Sequence, residues 1–194
     1  MDSLGPTKVA GFGGLHYWKD GRDVPDLLMG MYDYPQTEAH PAFQLSLRCN
    51  FEAGGGGNQG FRFIGTDGVL NLTVGTGFTV TRRPAESEPG HTFDTFDKAN
   101  AERGVSAYLQ KYPRQRPTAD GLRGIAESSY KLPSGYTEQY AHHENFFRAV
   151  RERSSVVEDA SFGFRATAPA LLSNLSYFEN KMCVWDPVAM QAKS

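Results

Sequence analysis

The chain has 194 residues, 39% of them hydrophobic and 22% charged, with a formal net charge of −2 and a pI near 6.2. That balance argues against an electrostatic grip on nucleic acid or on an anionic membrane surface. No apolar run approaches the roughly 20 residues of a membrane helix, and no basic-then-apolar signal segment opens the sequence.

A chain this long can bury roughly 70% of the surface exposed when unfolded, so a single domain covering residues 1–194 is expected. Cys49 and Cys183 are too few for a disulfide framework and lack metal-ligand spacing. A reducing, cytoplasmic compartment is the default expectation.

The first third reads as strands. Residues 8–18 are glycine-rich and end in aromatics, and residues 26–34 follow the turn at 19–25. Phe43, Leu45, Leu47, Cys49 and Phe51 alternate strictly with Gln44, Ser46, Arg48 and Asn50, the pattern of a half-buried strand. Residues 61–64 and 69–73 flank Gly65-Thr66-Asp67-Gly68, whose Asp-Gly pair signals a hairpin. Residues 78–82 make a sixth strand, and short turns between successive strands imply antiparallel pairing.

Residues 84–136 are punctuated by proline and glycine, with one helix expected at about 97–112. Two further helices follow, joined by an acidic turn where Glu158 and Asp159 supply the acceptors and negative charge that a helix start favours. Phe164, Ala168, Leu171, Leu172, Leu175, Phe178 and Met182 recur at spacings of three and four, which predicts one buried helical face. An apolar tail, Val184-Trp185-Asp186-Pro187, closes the pattern. Strands first and helices last predict an α+β fold: an open-faced, largely antiparallel six-stranded sheet with helices on one face.

Gly55, Gly57 and Gly60 fit G-x-G-x-x-G, but a dinucleotide fingerprint must lead from a strand into a helix. Here the run leads into Phe61-Arg62-Phe63-Ile64, another strand, so it reads as a loop. Adjacent His142 and His143 point to different helix faces and cannot easily bind one ion. His142 and Asn145 share a face, suited to capping or bridging nearby backbone. No catalytic residue, cofactor site or metal site is assigned on motif grounds.

The turn His16-Tyr17-Trp18-Lys19-Asp20-Gly21-Arg22-Asp23 gathers aromatics, both charge signs and a histidine at one strand end. Loops on a rigid scaffold are where binding groups concentrate. His16, Trp18, Lys19, Asp20 and Arg22 are therefore candidate contacts for a sugar-like small molecule, with a surface turn of local salt bridges as the plain alternative. Gln44, Ser46, Arg48 and Asn50 share the polar face of their strand and point to solvent, substrate or partner.

In their order, Gly13 to Asp26, Phe43 to Phe51, Phe61 to Gly68 and the helix pair ending in Trp185-Asp186-Pro187 resemble the C-terminal domain of the Gfo/Idh/MocA oxidoreductases. This is the family of glucose-fructose oxidoreductase and inositol dehydrogenase. The resemblance implies a sheet used for substrate contact on the helix side, and for homo-oligomer assembly on the exposed face through Gln44, Ser46, Arg48 and Asn50. It implies NAD or NADP for a full-length enzyme, held by an N-terminal Rossmann domain with a catalytic lysine in Glu-Lys-Pro and an Asp-x-Gly-x-His helix. None of these motifs occurs here; Phe12 stands where Gly14-Leu15-His16 would need the aspartate.

The sequence thus reads as the substrate and assembly domain of a sugar- or polyol-type oxidoreductase, inactive alone, whose Rossmann half is a separate chain or missing. A free-standing, non-enzymatic dimerisation or carbohydrate-binding module is the competing reading. A weaker third gives the chain chemistry of its own around His16, Asp20 and Arg22.

Overall fold

The computed structural model describes residues 3–57, 59–82, 93, 95–113, 127–156 and 158–193. In chain order they form β1 (Lys8–Gly14), β2 (Leu27–Tyr34), β3 (Phe43–Asn50), β4 (Gly60–Ile64), β5 (Gly68–Thr73), β6 (Gly77–Arg82), α1 (Lys98–Lys111), β7 (Glu127–Lys131), α2 (Glu138–Glu152), α3 (Ala160–Glu179), β8 (Cys183–Asp186) and β9 (Gln191–Lys193). They divide into two compact units, Met1–Gly57 with Tyr140–Ser194, and Asn58–Gln139.

The first unit is built on an antiparallel sheet in the order β3-β2-β1-β8-β9. Strand alternation sends Val9 and Gly11 to one face and Ala10 and Phe12 to the other. The register sets Val9 against Tyr32 and Gly11 against Gly30. Val9, Tyr32, Leu172, Cys183 and Trp185 are the buried cluster between this face and α3.

Small residues let α3 sit unusually close to β1. A Cβ on Gly11 would lie 2.2 Å from the backbone oxygen of Ser173. The Gly11 N–H donates to Ser176 Oγ at 2.9 Å, and that hydroxyl donates to the Lys181 carbonyl at 2.6 Å. Tyr32 Oη and Ser173 Oγ share a hydrogen bond of 2.5 Å. Each buried hydroxyl therefore has a partner, which offsets its desolvation.

The predicted buried stripe of α3 is corrected accordingly. Pro169, Leu172, Ser173 and Ser176 are the buried positions, whereas Phe164, Leu171, Leu175 and Phe178 on the helix, and Met182 beyond it, are exposed. Periodicity found an apolar stripe; hydrogen bonds and close backbone approach chose the adjacent, smaller one. The helix ends agree with the sequence. Asp159 Oδ1 accepts the Phe162 N–H at 2.8 Å, and Asn180 closes the C-terminus at φ 51°.

The second unit carries the sheet β4-β5-β6-β7, also antiparallel. Gly65 N–H donates to Gly68 O at 2.9 Å in the predicted hairpin. Phe61, Leu72, Phe78 and Tyr130 form one cross-strand row, with Phe78 and Tyr130 stacked at 5.4 Å. Helix α1 falls where expected, capped by Asp97 and ended at Tyr112.

The α+β class holds, but the six predicted strands do not share one sheet. β1 to β3 and β4 to β6 fall in separate sheets, completed by β8 and β9 and by β7 respectively. Those three strands escape the sequence pattern. β8 and β9 span four and three residues, too short for a period, and β7 reads Glu-Ser-Ser-Tyr-Lys.

Candidate functional site

The aromatic turn between β1 and β2 is held by one carboxylate. Asp26 is buried, and its side chain accepts the backbone N–H groups of His16 at 3.0 Å, Tyr17 at 2.5 Å and Trp18 at 3.2 Å. Its own N–H donates to Gly14 O at 3.1 Å, and its carbonyl accepts from Phe51 N–H at 3.0 Å. One residue thereby ties together the ends of β1, β2 and β3. Burial pushes the Asp26 carboxyl up, but the three N–H donors outweigh it and hold the group below the ordinary carboxylate value.

Asp26 was not among the candidates from sequence. The usable signal was an aspartate directly before a strand, a residue that readily hydrogen-bonds nearby backbone.

Of the five predicted contacts, three come together. The Arg22 guanidinium lies 4.3 Å from the Trp18 ring centroid. It also donates to Asp20 through Nε at 2.8 Å and Nη2 at 2.5 Å, a bidentate pair. That hydrogen-bonded arginine holds the Asp20 carboxyl down to about 2. Lys19 turns back to the Leu15 carbonyl at 3.3 Å. His16 is exposed, its ring against Gly14.

Two unpredicted aromatics complete the group. Tyr17 meets Trp18 edge-on at 5.9 Å and Phe51 lies tilted beside it at 6.2 Å; both are exposed. The arrangement is an aromatic cluster in which Arg22, paired with Asp20, lies over Trp18 while Tyr17 and Phe51 stay open. Among the described residues it contains no nucleophile–base pair.

Gln44, Ser46, Arg48 and Asn50 lie on the face of β3 opposite the helix side, across from Asp33, Met31, Met29 and Leu27. Met29 in turn faces Phe12 on β1. Phe12, Met29 and Met31 are exposed, so this open face carries an apolar strip that the β3 sequence alone did not reveal. A shallow depression of about 160 Å³ here, lined by Lys8, Asp33, Gln44 and Met182 among others, is smaller than the roughly 300 Å³ of ordinary ligand pockets.

The glycine run behaves as the sequence reading required. Gly55 and Gly57 are exposed, and Gly60 opens β4 instead of a helix. Without a helix N-terminus behind it, the run does not fit the pyrophosphate of a dinucleotide. His142 is corrected: its Nδ1 lies 3.7 Å from Glu158 Oε2, while Asn145 accepts from Arg148. Among the described residues, no group of three or more His, Cys, Asp or Glu could hold a metal, and no helix is long and apolar enough to cross a membrane.

No family model matches the chain, and no curated protein matches it. Among solved structures it is similar to yvaA, a proposed oxidoreductase of Bacillus subtilis, at 11% identity and a TM-score of 0.46, covering 94% of this chain and 47% of that one. A proposed oxidoreductase of Bacteroides fragilis is similar at 12% identity and a TM-score of 0.45, with coverage of 93% and 47%. The chain thus spans about half the length of each.

Proposed function

We propose that this chain is the substrate-contacting and assembly domain of a sugar- or polyol-type oxidoreductase, with NAD or NADP bound outside it. The observation that carries the reading is the braced aromatic turn. Tyr17 and Phe51 offer exposed apolar surface for the C–H faces of a sugar ring beside Trp18, whose ring carries the Arg22 guanidinium, and the Asp20–Arg22 pair offers charged hydrogen-bonding groups for its hydroxyls. The Asp26 brace fixes the turn before a ligand arrives, which lowers the ordering cost of binding.

Assembly is assigned to the open face of the first sheet. There Gln44, Ser46, Arg48 and Asn50 border the exposed Phe12, Met29 and Met31, a mixture of arginine and apolar side chains suited to a subunit interface.

The test is titration of the purified chain with a panel of monosaccharides and polyols, followed by tryptophan fluorescence and amide chemical shifts. The expected result is saturable binding to a subset of the panel, with shifts around residues 16–26, abolished by Trp18→Ala. Binding that survives Trp18→Ala, or no response from any member of the panel, rejects the assignment.

A further inference from the structure

The turn between β1 and β2 builds two receptors for an anion and fills both with its own carboxylates. The first is the run of backbone N–H groups of His16, Tyr17 and Trp18. Successive N–H groups that converge on one point make an anion-binding concavity, and here Asp26 occupies it at 3.0, 2.5 and 3.2 Å. The second is the planar fork of Arg22, the donor set that recognises carboxylate and phosphate in bidentate fashion. Asp20 takes it through Nε at 2.8 Å and Nη2 at 2.5 Å.

Neither carboxylate gives way readily to a ligand. Asp26 is 3% exposed, and its backbone also joins the ends of β1 and β3. Asp20 stands two residues from Arg22, so it competes with a free anion at the high effective concentration of a short tether. Arg22 in turn holds the Asp20 carboxyl down to about 2, which keeps the fork filled throughout the neutral range.

The other charges of the turn do not restore a place for an anion. Between Leu15 and Asp26, two positive residues, Lys19 and Arg22, stand against three negative ones, Asp20, Asp23 and Asp26, with His16 counted as neutral. Lys19 Nζ turns back to the Leu15 carbonyl at 3.3 Å.

What the turn leaves open suits a hydroxyl. The Asp20 side chain is 52% exposed, its oxygens keep lone pairs beyond those the fork uses, and Arg22 Nη1 lies outside the pair. A sugar hydroxyl both donates and accepts, so it can bridge the carboxylate and this remaining donor. Tyr17 and Phe51 stay exposed for the C–H face of the ring.

Resting on the sugar reading of this site, we propose that its substrate class is the uncharged sugars and polyols. Asp20 is the specificity-determining residue that turns away their phosphorylated and acidic counterparts.

The test titrates the full chain with matched sets of ligands: uncharged hexoses and polyols, their phosphate esters and their sugar acids. Binding is read from amide chemical shifts around residues 16–26. The uncharged member of a set is expected to bind about tenfold or more tighter than either anion, a gap of about 1.4 kcal/mol. Asp20→Asn frees the Arg22 fork and removes one negative charge. It is expected to raise affinity for the phosphate ester by about tenfold or more, an effect that added salt weakens. Combining it with Arg22→Gln is expected to cancel the gain, while unchanged amide shifts at residues 16–18 report that the Asp26 brace persists. A phosphate ester or sugar acid that binds the unmutated chain as tightly as its uncharged parent overturns the inference and leaves the sugar reading standing. So does an Asp20→Asn protein that gains nothing for the phosphate ester. No response to any ligand of any set rejects the sugar reading itself, and this inference with it.

Discussion

Gly11→Ala is expected to unseat α3 from its sheet. The new Cβ would stand 2.2 Å from the Ser173 oxygen and 3.0 Å from its carbonyl carbon. Both are backbone atoms in a helix, so neither can rotate away. Relief requires the helix to lift by about 1 Å, and such overpacking costs about 1–3 kcal/mol.

The same movement stretches the 2.9 Å bond from Gly11 N–H to Ser176 Oγ, and leaving a buried donor unpaired costs a further 1–3 kcal/mol or so. Replacing glycine by alanine returns about 0.4–1 kcal/mol through the unfolded chain. The net loss is about 3 kcal/mol, a large share of the roughly 5–15 kcal/mol that holds a domain folded.

Urea unfolding followed by Trp185 fluorescence, in a Trp18→Phe background, reads this directly because Trp185 lies in the buried cluster. With a slope of about 1–3 kcal/mol per molar urea, the midpoint falls by about 1 M or more. Gly57→Ala serves as control, since nothing lies within 4 Å of its added Cβ. Equal midpoints for Gly11→Ala and Gly57→Ala would refute the close approach of α3 to β1.

Gly163→Ala places its Cβ in open space within α3. It should raise thermal stability by about 0.5–1 kcal/mol through helix propensity, and a lowered melting temperature would contradict the helix placement. Asp26→Asn should loosen the aromatic turn at neutral pH, seen as lower Trp18 fluorescence anisotropy in a Trp185→Phe background. In the unmutated turn, the Asp26 carboxyl is held below its ordinary value. Its contribution is therefore complete above roughly pH 4 and is lost as the pH falls through the lower, folded value; loosening already at pH 6 would show that another group governs the turn. Calorimetric titration with NAD and NADP is expected to give no heat of binding, and the purified chain no cofactor-dependent turnover of sugars or polyols; micromolar affinity for either dinucleotide would overturn this.

The local structure of this chain was largely legible in its sequence. Alternation from Phe43 to Asn50 set β3 as a strand, although its expected buried side is open, with Leu45, Leu47 and Phe51 exposed; Asp-Gly set the β4–β5 hairpin, and Asp97 and Asp159 set two helix starts. These are short-range effects, governed by side-chain periodicity and by hydrogen bonds within a few residues. The glycine run was rightly read as leading into a strand, because the strand pattern of Phe61-Arg62-Phe63-Ile64 directly after it is also local.

Long-range pairing decided the rest. Nothing in residues 183–186 says that they line up beside β1, more than a hundred residues earlier in the chain, or that β1 to β3 and β4 to β6 belong to different sheets. Sequence found the apolar stripe on α3, but the missing Cβ of Gly11 and the hydroxyls of Ser173 and Ser176 determined that its neighbour faces the core. The candidate site divides in the same way. Its residue types were visible in the turn, while the Asp26 carboxylate that binds the turn together, and Phe51 arriving beside Trp18, depend on where the ends of three strands meet.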